Sequence, residues 1–270
     1  MAIRSDSRWT RTKLVAAAMT TSLLCARLHA GVPLSNDQHL AFERAAVRGD
    51  FVAAVDSTRP LVYYRLNAMS GNSRSGATHY KALGGVRIAK PGAPINVGGN
   101  RFANLDGLDG YIETTQAGGI GKAASMMVWV NLAVLPSAEN HFFYVMGESE
   151  NGNDLDLQFE DDNALKFYTA SGSHLTFTPK LSTLTNQWHM VVVTLDTVTK
   201  ARVIYWDGDE VASDKDGGLP NKTAMLSIGE SAALGGRFFK GGIEEAALWN
   251  RALSDDEVSK MYAASQNGAH

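Results

Sequence analysis

Between Leu61 and Trp249 the chain repeats one short unit: an apolar or alternating run of four to eight residues, then a turn. The runs are Leu61–Leu66, Arg101–Leu105, Tyr111–Thr114, Ser125–Leu132, His141–Met146, Leu155–Glu160, Leu165–Thr169, His174–Thr178, Trp188–Leu195, Arg202–Trp206, Met225–Ile228 and Ile243–Trp249. Runs of this length with period-two alternation read as β-strands, and no long helical period separates them. That excludes a parallel sheet built from βαβ units, which needs a crossover helix between strands. Asp207-Gly208 is a two-residue hairpin signal between Arg202–Trp206 and Glu210–Ala212. The 26 glycines, about one residue in ten, suit the many turns such a series requires. The expected fold is all-β: two packed antiparallel sheets with a short helix at each end.

Both helices are announced by capping boxes, in which a side chain at each end of the first turn satisfies a free N–H of the other. Ser35-Asn36-Asp37-Gln38 opens a helix that would run to about Arg48 and stop at Gly49. Ser254-Asp255-Asp256-Glu257 opens the second. Between the first helix and the strands, Val52–Thr58 leads to Arg59-Pro60, where the residue before proline is pushed toward extended geometry.

The first thirty residues read as an export signal. Arg4, Arg8, Arg11 and Lys13 precede an apolar run, Leu14–Ala26, and His29-Ala30 ends in a small residue. The run is too short to cross a bilayer, which takes about 20 residues. Ser22-Leu23-Leu24, before Cys25, lacks the small residue expected ahead of a lipidated cysteine. A buried amphipathic helix is the alternative reading, and Arg27 in the apolar end favours it. The expected organisation is a signal peptide over 1–30, a helical lead-in over 31–58 and the β-domain over 59–270. Residues 1–30 carry five of the 25 Lys and Arg and one of the 28 Asp and Glu, so the formal net charge falls from −3 to −7 without them. The single cysteine goes too, so no disulfide framework stabilises the remainder. An acidic chain offers no electrostatic basis for binding nucleic acid, and the mature chain has no candidate membrane span.

Six segments in order resemble the laminin-G-like, concanavalin A-like jelly-roll domains found in many exported bacterial proteins. Asp56-Ser57-Thr58-Arg59-Pro60 with Tyr63-Tyr64-Arg65-Leu66 resembles the family's opening. Leu105-Asp106-Gly107-Leu108-Asp109-Gly110-Tyr111 resembles its F-D-G-x-D-D-Y, and Met127-Val128-Trp129-Val130 its tryptophan strand. Trp188-His189-Met190-Val191-Val192-Val193-Thr194-Leu195-Asp196 is similar to W-H-H-V-A-x-T-Y-D. Ile204-Tyr205-Trp206-Asp207-Gly208 is similar to L-Y-V-D-G, and Gly241–Ser254 to G-x-I-D-E-V-x-x-Y-N-R-A-L-S. The resemblance covers about residues 55–264 and implies a two-sheet jelly roll. The family includes lectins, adhesion modules, receptor domains and accessory domains of enzymes, so the fold leaves function open.

Leu155, Leu157 and Phe159 alternate with Asp154, Asp156, Gln158 and Glu160. The apolar set would face the core and the polar set would line one outer face. As a solvated strand this needs no function. As a binding surface, Asp154, Asp156, Gln158 and Glu160 would offer hydrogen bonds to a hydroxyl-rich ligand, and Trp206 a ring to stack on it. As a glycosidase site, same-face carboxylates about 6–7 Å apart would suit an inverting pair, but the acidic pattern that the related enzymes carry is incomplete. No G-x-S-x-G occurs, and the seven histidines show no metal spacing.

Calcium enters by two routes. Glu148, Glu150, Asp154, Asp156, Glu160, Asp161 and Asp162 form an acidic stretch that follows no EF-hand spacing. The resemblance also implies a structural calcium ion, which would be held here by Glu244 (an aspartate in the family), Asp106 and the carbonyl of Gly107. The bland expectation for Trp129, Trp188 and Trp249 is that they fill the core between the sheets. Together these readings point to an exported module that binds carbohydrate or a protein surface, secreted, periplasmic or at the cell surface. A glycoside hydrolase or polysaccharide lyase on the same jelly roll is one alternative. A structural or assembly protein is the other.

Overall fold

The computed structural model describes residues 34–47, 49–95, 100–117, 120–148, 155–169, 173–218, 225–231 and 234–266. The proposed signal segment and Asp154 lie outside these residues. Five helices are present among them: α1 (Asn36–Val47), α2 (Phe51–Ser57), α3 (Pro136–Glu139), α4 (Leu181–Leu184) and α5 (Asp255–Gln266). The strands of the first half are β1 (Val62–Tyr64), β2 (Ser70–Asn72), β3 (His79–Leu83), β4 (Arg87–Ala89), β5 (Phe102–Asp106), β6 (Tyr111–Ala117), β7 (Ala123–Leu132) and β8 (Phe143–Glu148). Those of the second half are β9 (Leu155–Phe159), β10 (Leu165–Thr169), β11 (His174–Phe177), β12 (His189–Asp196), β13 (Ala201–Trp206), β14 (Asp209–Asp214), β15 (Met225–Ile228) and β16 (Lys240–Trp249). They form two antiparallel sheets. Sheet A runs β14-β13-β12-β7-β16-β5-β4, with β1 also pairing with β16, and sheet B runs β11-β10-β9-β8-β15-β6-β3-β2.

Every helix and hairpin signal read from the sequence is in place. Ser35 and Gln38 cap α1 reciprocally, and Gly49 follows its end at φ 68°. Ser254 and Glu257 do the same for α5. Asp207 and Gly208 both take positive φ, 53° and 90°, and turn β13 into β14. Helix α2 falls within the helical lead-in and is started by Asp50, which accepts from Ala53 N at 3.0 Å. Beyond it Arg59 takes φ 51°, the left-handed region, rather than the extended geometry expected before Pro60.

Alternation builds two cores rather than one. In β7, Ala124, Met126, Val128, Val130 and Leu132 face sheet B in the inter-sheet core. Met127 and Trp129 face the other way, into a second core that holds Met190, Val192, Val203, Tyr205 and Trp249 beneath Phe42, Phe51, Val55, Val258 and Met261 of α1, α2 and α5. The expectation that Trp129 and Trp249 fill the space between the sheets is therefore corrected. Both are fully buried, but their inward-facing neighbours Val128 and Leu248 occupy the inter-sheet side, so the tryptophans emerge under the helices. Trp188 packs at the margin of this second core, edge-on to Phe102 at 5.0 Å.

In β16 the alternation breaks. Register shifts between Glu244 and Ala247, and Glu245 takes φ 56°. The bulge points two adjacent carboxylates into the protein. Glu245 accepts from the Tyr63 hydroxyl and Arg65 Nε. Glu244 accepts from Ala93 N and from Asn100 Nδ2 at 2.8 Å. Burial, then the charge of Glu245, pushes the Glu244 carboxyl up to about 8.

Candidate functional site

The outer face of sheet B carries a polar cluster centred on β9. Leu155, Leu157 and Phe159 point into the inter-sheet core, which leaves Asp156, Gln158 and Glu160 on the opposite face. Pairing sets their neighbours: Asp156 lies opposite Tyr168 of β10, Gln158 opposite Lys166 of β10 and Tyr144 of β8. This face is not a solvated strand. Asp156 is 0% exposed, Gln158 1% and Glu160 7%. Buried polar groups must find partners, and these do.

The Tyr144 hydroxyl donates to Asp156 Oδ1 at 2.8 Å. Gln158 Nε2 donates to Glu160 Oε1 at 3.1 Å, and Arg237 Nη1 donates to Gln158 Oε1 at 2.7 Å. Lys166 and the Tyr168 hydroxyl complete the shell of Glu160, the tyrosine at 2.6 Å. Burial alone would raise the Glu160 carboxyl, but hydrogen bonds from Lys166 and Tyr168 outweigh it and hold the group below the usual range. Burial and the Glu160 carboxylate push the Tyr168 phenol up to about 12, so it remains a donor at any physiological pH. Around this buried centre stand half-exposed Lys166, Tyr168, Phe142 and Arg237, and exposed His174 and Thr176.

The sequence reading thus finds three members of one cluster in Asp156, Gln158 and Glu160. Trp206 does not join them. It packs against Phe159 at 6.3 Å, Phe177 at 5.6 Å and His189 at 4.4 Å, beside the inter-sheet core. Phe159 points away from the polar face, so the ring that touches it is on the other side of the sheet. Tyr144, Tyr168 and Arg237 were not anticipated. The tyrosines could have been found by pairing neighbouring strands. Arg237 has only a compositional signal, a lone cation in Gly235-Gly236-Arg237-Phe238-Phe239. Asp156 and Glu160 are four residues apart on one strand, about 13 Å along it at the usual rise. That exceeds the roughly 6.5–9.5 Å between the carboxyl groups of inverting glycosidases.

The residues implied for calcium lie apart. Asp106 Oδ1 accepts from the backbone N–H groups of Leu108, Asp109 and Gly110 at 2.9, 3.2 and 3.1 Å, closing the turn that holds Gly107 at φ 77°. These N–H groups, Leu108 first, lower its carboxyl below the usual range. Asp106 faces Lys240 in the register of β5 and β16, which puts Glu244 about 13 Å further along the strand. Both Glu244 oxygens already accept from N–H donors. Asp106, Gly107 and Glu244 therefore do not fit one shared calcium site. Among the described residues no group of three or more His, Cys, Asp or Glu could hold a metal ion.

Two antiparallel sheets packed face to face, with a helical roof on one of them, form a jelly-roll domain. A family model described as the concanavalin A-like lectin/glucanases superfamily matches residues 105–259. The chain belongs to that superfamily. No curated protein sequence matches it. Among solved structures, the botulinum neurotoxin serotype D binding domain is similar, with a TM-score of 0.59, 12% identity and coverage of 75% of this chain and 51% of that one. The same toxin's ligand binding domain in complex with N-acetylneuraminic acid gives 0.58, 13%, 81% and 52%. Domain 4 of AbnA, an extracellular arabinanase from Geobacillus stearothermophilus, in complex with arabinotriose, gives 0.55, 16%, 75% and 97%. The chain spans about half the length of the toxin chains and nearly all of the arabinanase domain. At these identities the likeness shows the shared fold. Among the described residues, no helix is long and apolar enough to cross a membrane.

Proposed function

We propose that this protein is an exported, non-enzymatic binding module that recognises carbohydrate through the outer face of β8–β11. The observation that carries the reading is the polar cluster on that face. Buried Gln158 and Glu160 fix the half-exposed donors Lys166 and Arg237, and the Tyr168 ring, in place before any ligand arrives. Hydroxyl-rich ligands need such fixed donors beside apolar ring surface, and Phe142 and Tyr168 supply rings. The resemblance to domains solved with arabinotriose and with N-acetylneuraminic acid supports a glycan over a protein partner. Export is proposed from the basic and apolar pattern of residues 1–30.

A glycan array probed with the chain from Gly31 onward, followed by calorimetry on any hit with and without calcium, tests the proposal. Binding that Tyr168→Ala weakens at least tenfold, without change in melting temperature beyond a few degrees, is the expected result. No binding to any glycan would overturn it. A calcium-dependent melting temperature would restore the metal through residues other than a shared Asp106 and Glu244 site. Export is checked separately: N-terminal sequencing of secreted protein should read from near Gly31.

A further inference from the structure

Arginines of this chain that meet a carboxylate of the chain tend to grip it with two nitrogens. Arg202 donates from Nε and Nη2 to the two oxygens of Asp214 at 2.8 and 2.5 Å. Arg74 uses the same edge on Asp56, with Nε 3.0 Å and Nη2 2.5 Å from Oδ2. Arg251 holds Glu257 through Nη1 and Nη2 at 2.8 and 2.6 Å. The planar guanidinium fork matches the two oxygens of a carboxylate.

Arg237 is set up in the same way but lacks the carboxylate. Its Nη1 donates to Gln158 Oε1 at 2.7 Å, and its guanidinium carbon lies 5.0 Å from the centre of the Phe142 ring. The Nε–Nη2 edge has no hydrogen-bond or ion-pair partner among the described residues. The anchor beneath it is rigid. Gln158 is 1% exposed, and its Nε2 is committed to Glu160, so its carbonyl must face Arg237. Glu160 is itself held by Lys166 and Tyr168. Asp156 and Glu160 already have donors of their own, so they do not neutralise the guanidinium by contact. A half-exposed cation thus sits over a ring, with its two-donor edge open, on the face proposed above for a glycan.

We infer that Arg237 anchors a carboxylate carried by the ligand, so that the face takes an acidic sugar rather than a neutral one. This rests on the glycan reading of the same face. One carboxylate matches one open guanidinium edge, and the Phe142 ring offers apolar surface beside it for the sugar's C–H groups. A uronate and a sialate share this chemistry.

The experiment is a calorimetric comparison of four probes: trigalacturonate, its methyl ester, 3′-sialyllactose and lactose. One acid probe binds, and removing its carboxylate charge (the ester) or its whole acidic sugar (lactose) weakens binding at least tenfold. Which acid binds identifies the source. Arg237→Gln reduces affinity for that acid to the level of its neutral partner, and Arg237→Lys recovers only part of it, because an ammonium cannot form the two-donor contact. Equal affinity for acid and neutral probes overturns the inference, as does an unchanged affinity in Arg237→Gln. If only neutral glycans bind, Arg237 loses its role and the glycan face stands. If no glycan binds on the array either, both readings fall. Should Arg237→Gln not fold, the ester comparison on the native protein still decides.

Discussion

The two sheets present opposite solutions to the same problem. On sheet A the outward positions are apolar: Met127, Trp129, Met190, Val192 and Trp249. They need a roof, and the two ends of the chain supply one by laying α1, α2 and α5 across them. On sheet B the outward positions around β9 are polar, yet Asp156, Gln158 and Glu160 are buried almost as fully. No apolar roof would satisfy them, so they satisfy one another and the tyrosines, lysine and arginine beside them. Burial on the first face contributes stability through area removed from water. Burial on the second contributes orientation, because each polar atom committed inside fixes what its partner offers outside. The binding surface is therefore the face whose buried groups still leave donors over.

The comparison is tested most severely at Trp129. It is 0% exposed, its ring meets Phe51 edge-on at 6.0 Å and stacks on Tyr262 at 6.1 Å, and its Nε1 has no hydrogen-bond partner to lose. Trp129→Ala should cost about 3–5 kcal/mol, as for a large aromatic removed from a core. At roughly 2–4 °C per kcal/mol for a domain of this size, melting should fall by about 6–20 °C. Thermal unfolding checks this, and glycan affinity measured below the transition should hold. Lost affinity in a still-folded variant would break the division of labour between the faces.

The next effect appears with pH. Glu148 ends β8 opposite the core residue Leu226, is 1% exposed, and neither of its carboxylate oxygens has a hydrogen-bond partner. Burial pushes its carboxyl up to about 8. The folded chain therefore keeps this proton to a higher pH than the unfolded chain, whose glutamates ionise near the ordinary 4.5. Its contribution is fully present below about pH 4.5 and is lost as pH rises toward 8, at up to about 1.4 kcal/mol per pH unit. Glu148→Gln should remove that slope. Denaturant unfolding of both proteins at pH 5, 6.5 and 8 reads it, and parallel curves would show that Glu148 ionises in the folded state at little cost.

These contrasts were only partly legible in the sequence. The strands of the second half were, because their alternation is strong: the run Met225–Ile228 is β15 residue for residue. The stretch from Ser70 to Ala89 was not. Strands β2 and β4 are three residues each and hold little apolar periodicity, so only pairing with β3 and β5 makes them strands. Alternation also identified which residues share a face of β9 without saying whether that face is covered. That depends on long-range partners such as Arg237, which reaches Gln158 across 79 residues. Trp206 stands where the related L-Y-V-D-G segment has a small aliphatic residue, which pointed to a surface ring, while its ring contacts with Phe159 and Phe177 lie across the sandwich.

Within the polar face the effects become smaller. Glu160→Gln keeps the shape of the side chain but replaces one acceptor oxygen with a donor. Gln158 and the Tyr168 hydroxyl both direct donors at Oε1, and Lys166 directs one at Oε2, so one of these contacts must break. Lys166 retains Asp162 at 3.2 Å. The cost should be about 1–3 kcal/mol, the price of a buried polar group left unsatisfied. Glycan affinity should fall with it, since Gln158 then loses its reason to face Arg237. A stability loss with unchanged affinity would detach the buried network from the surface donors.

The smallest expected change in stability belongs to His174, and it sharpens the comparison most. The residue is exposed at the start of β11, and its ring lies 4.9 Å from that of Tyr168 at a 45° tilt. Nothing is buried by it, so His174→Ala should alter stability by no more than about 0.5 kcal/mol, within the range of ordinary surface changes. Its ring nevertheless flanks Tyr168, one of the rings assigned to the sugar. Affinity for the bound glycan should fall severalfold by calorimetry while the melting curve overlays that of the native protein. Trp129 and His174 then form the two ends of one series: the first moves stability and leaves binding alone, the second does the reverse. If His174→Ala leaves affinity untouched, the recognition surface shrinks toward Phe142, just before β8, and Arg237, in the segment before β16.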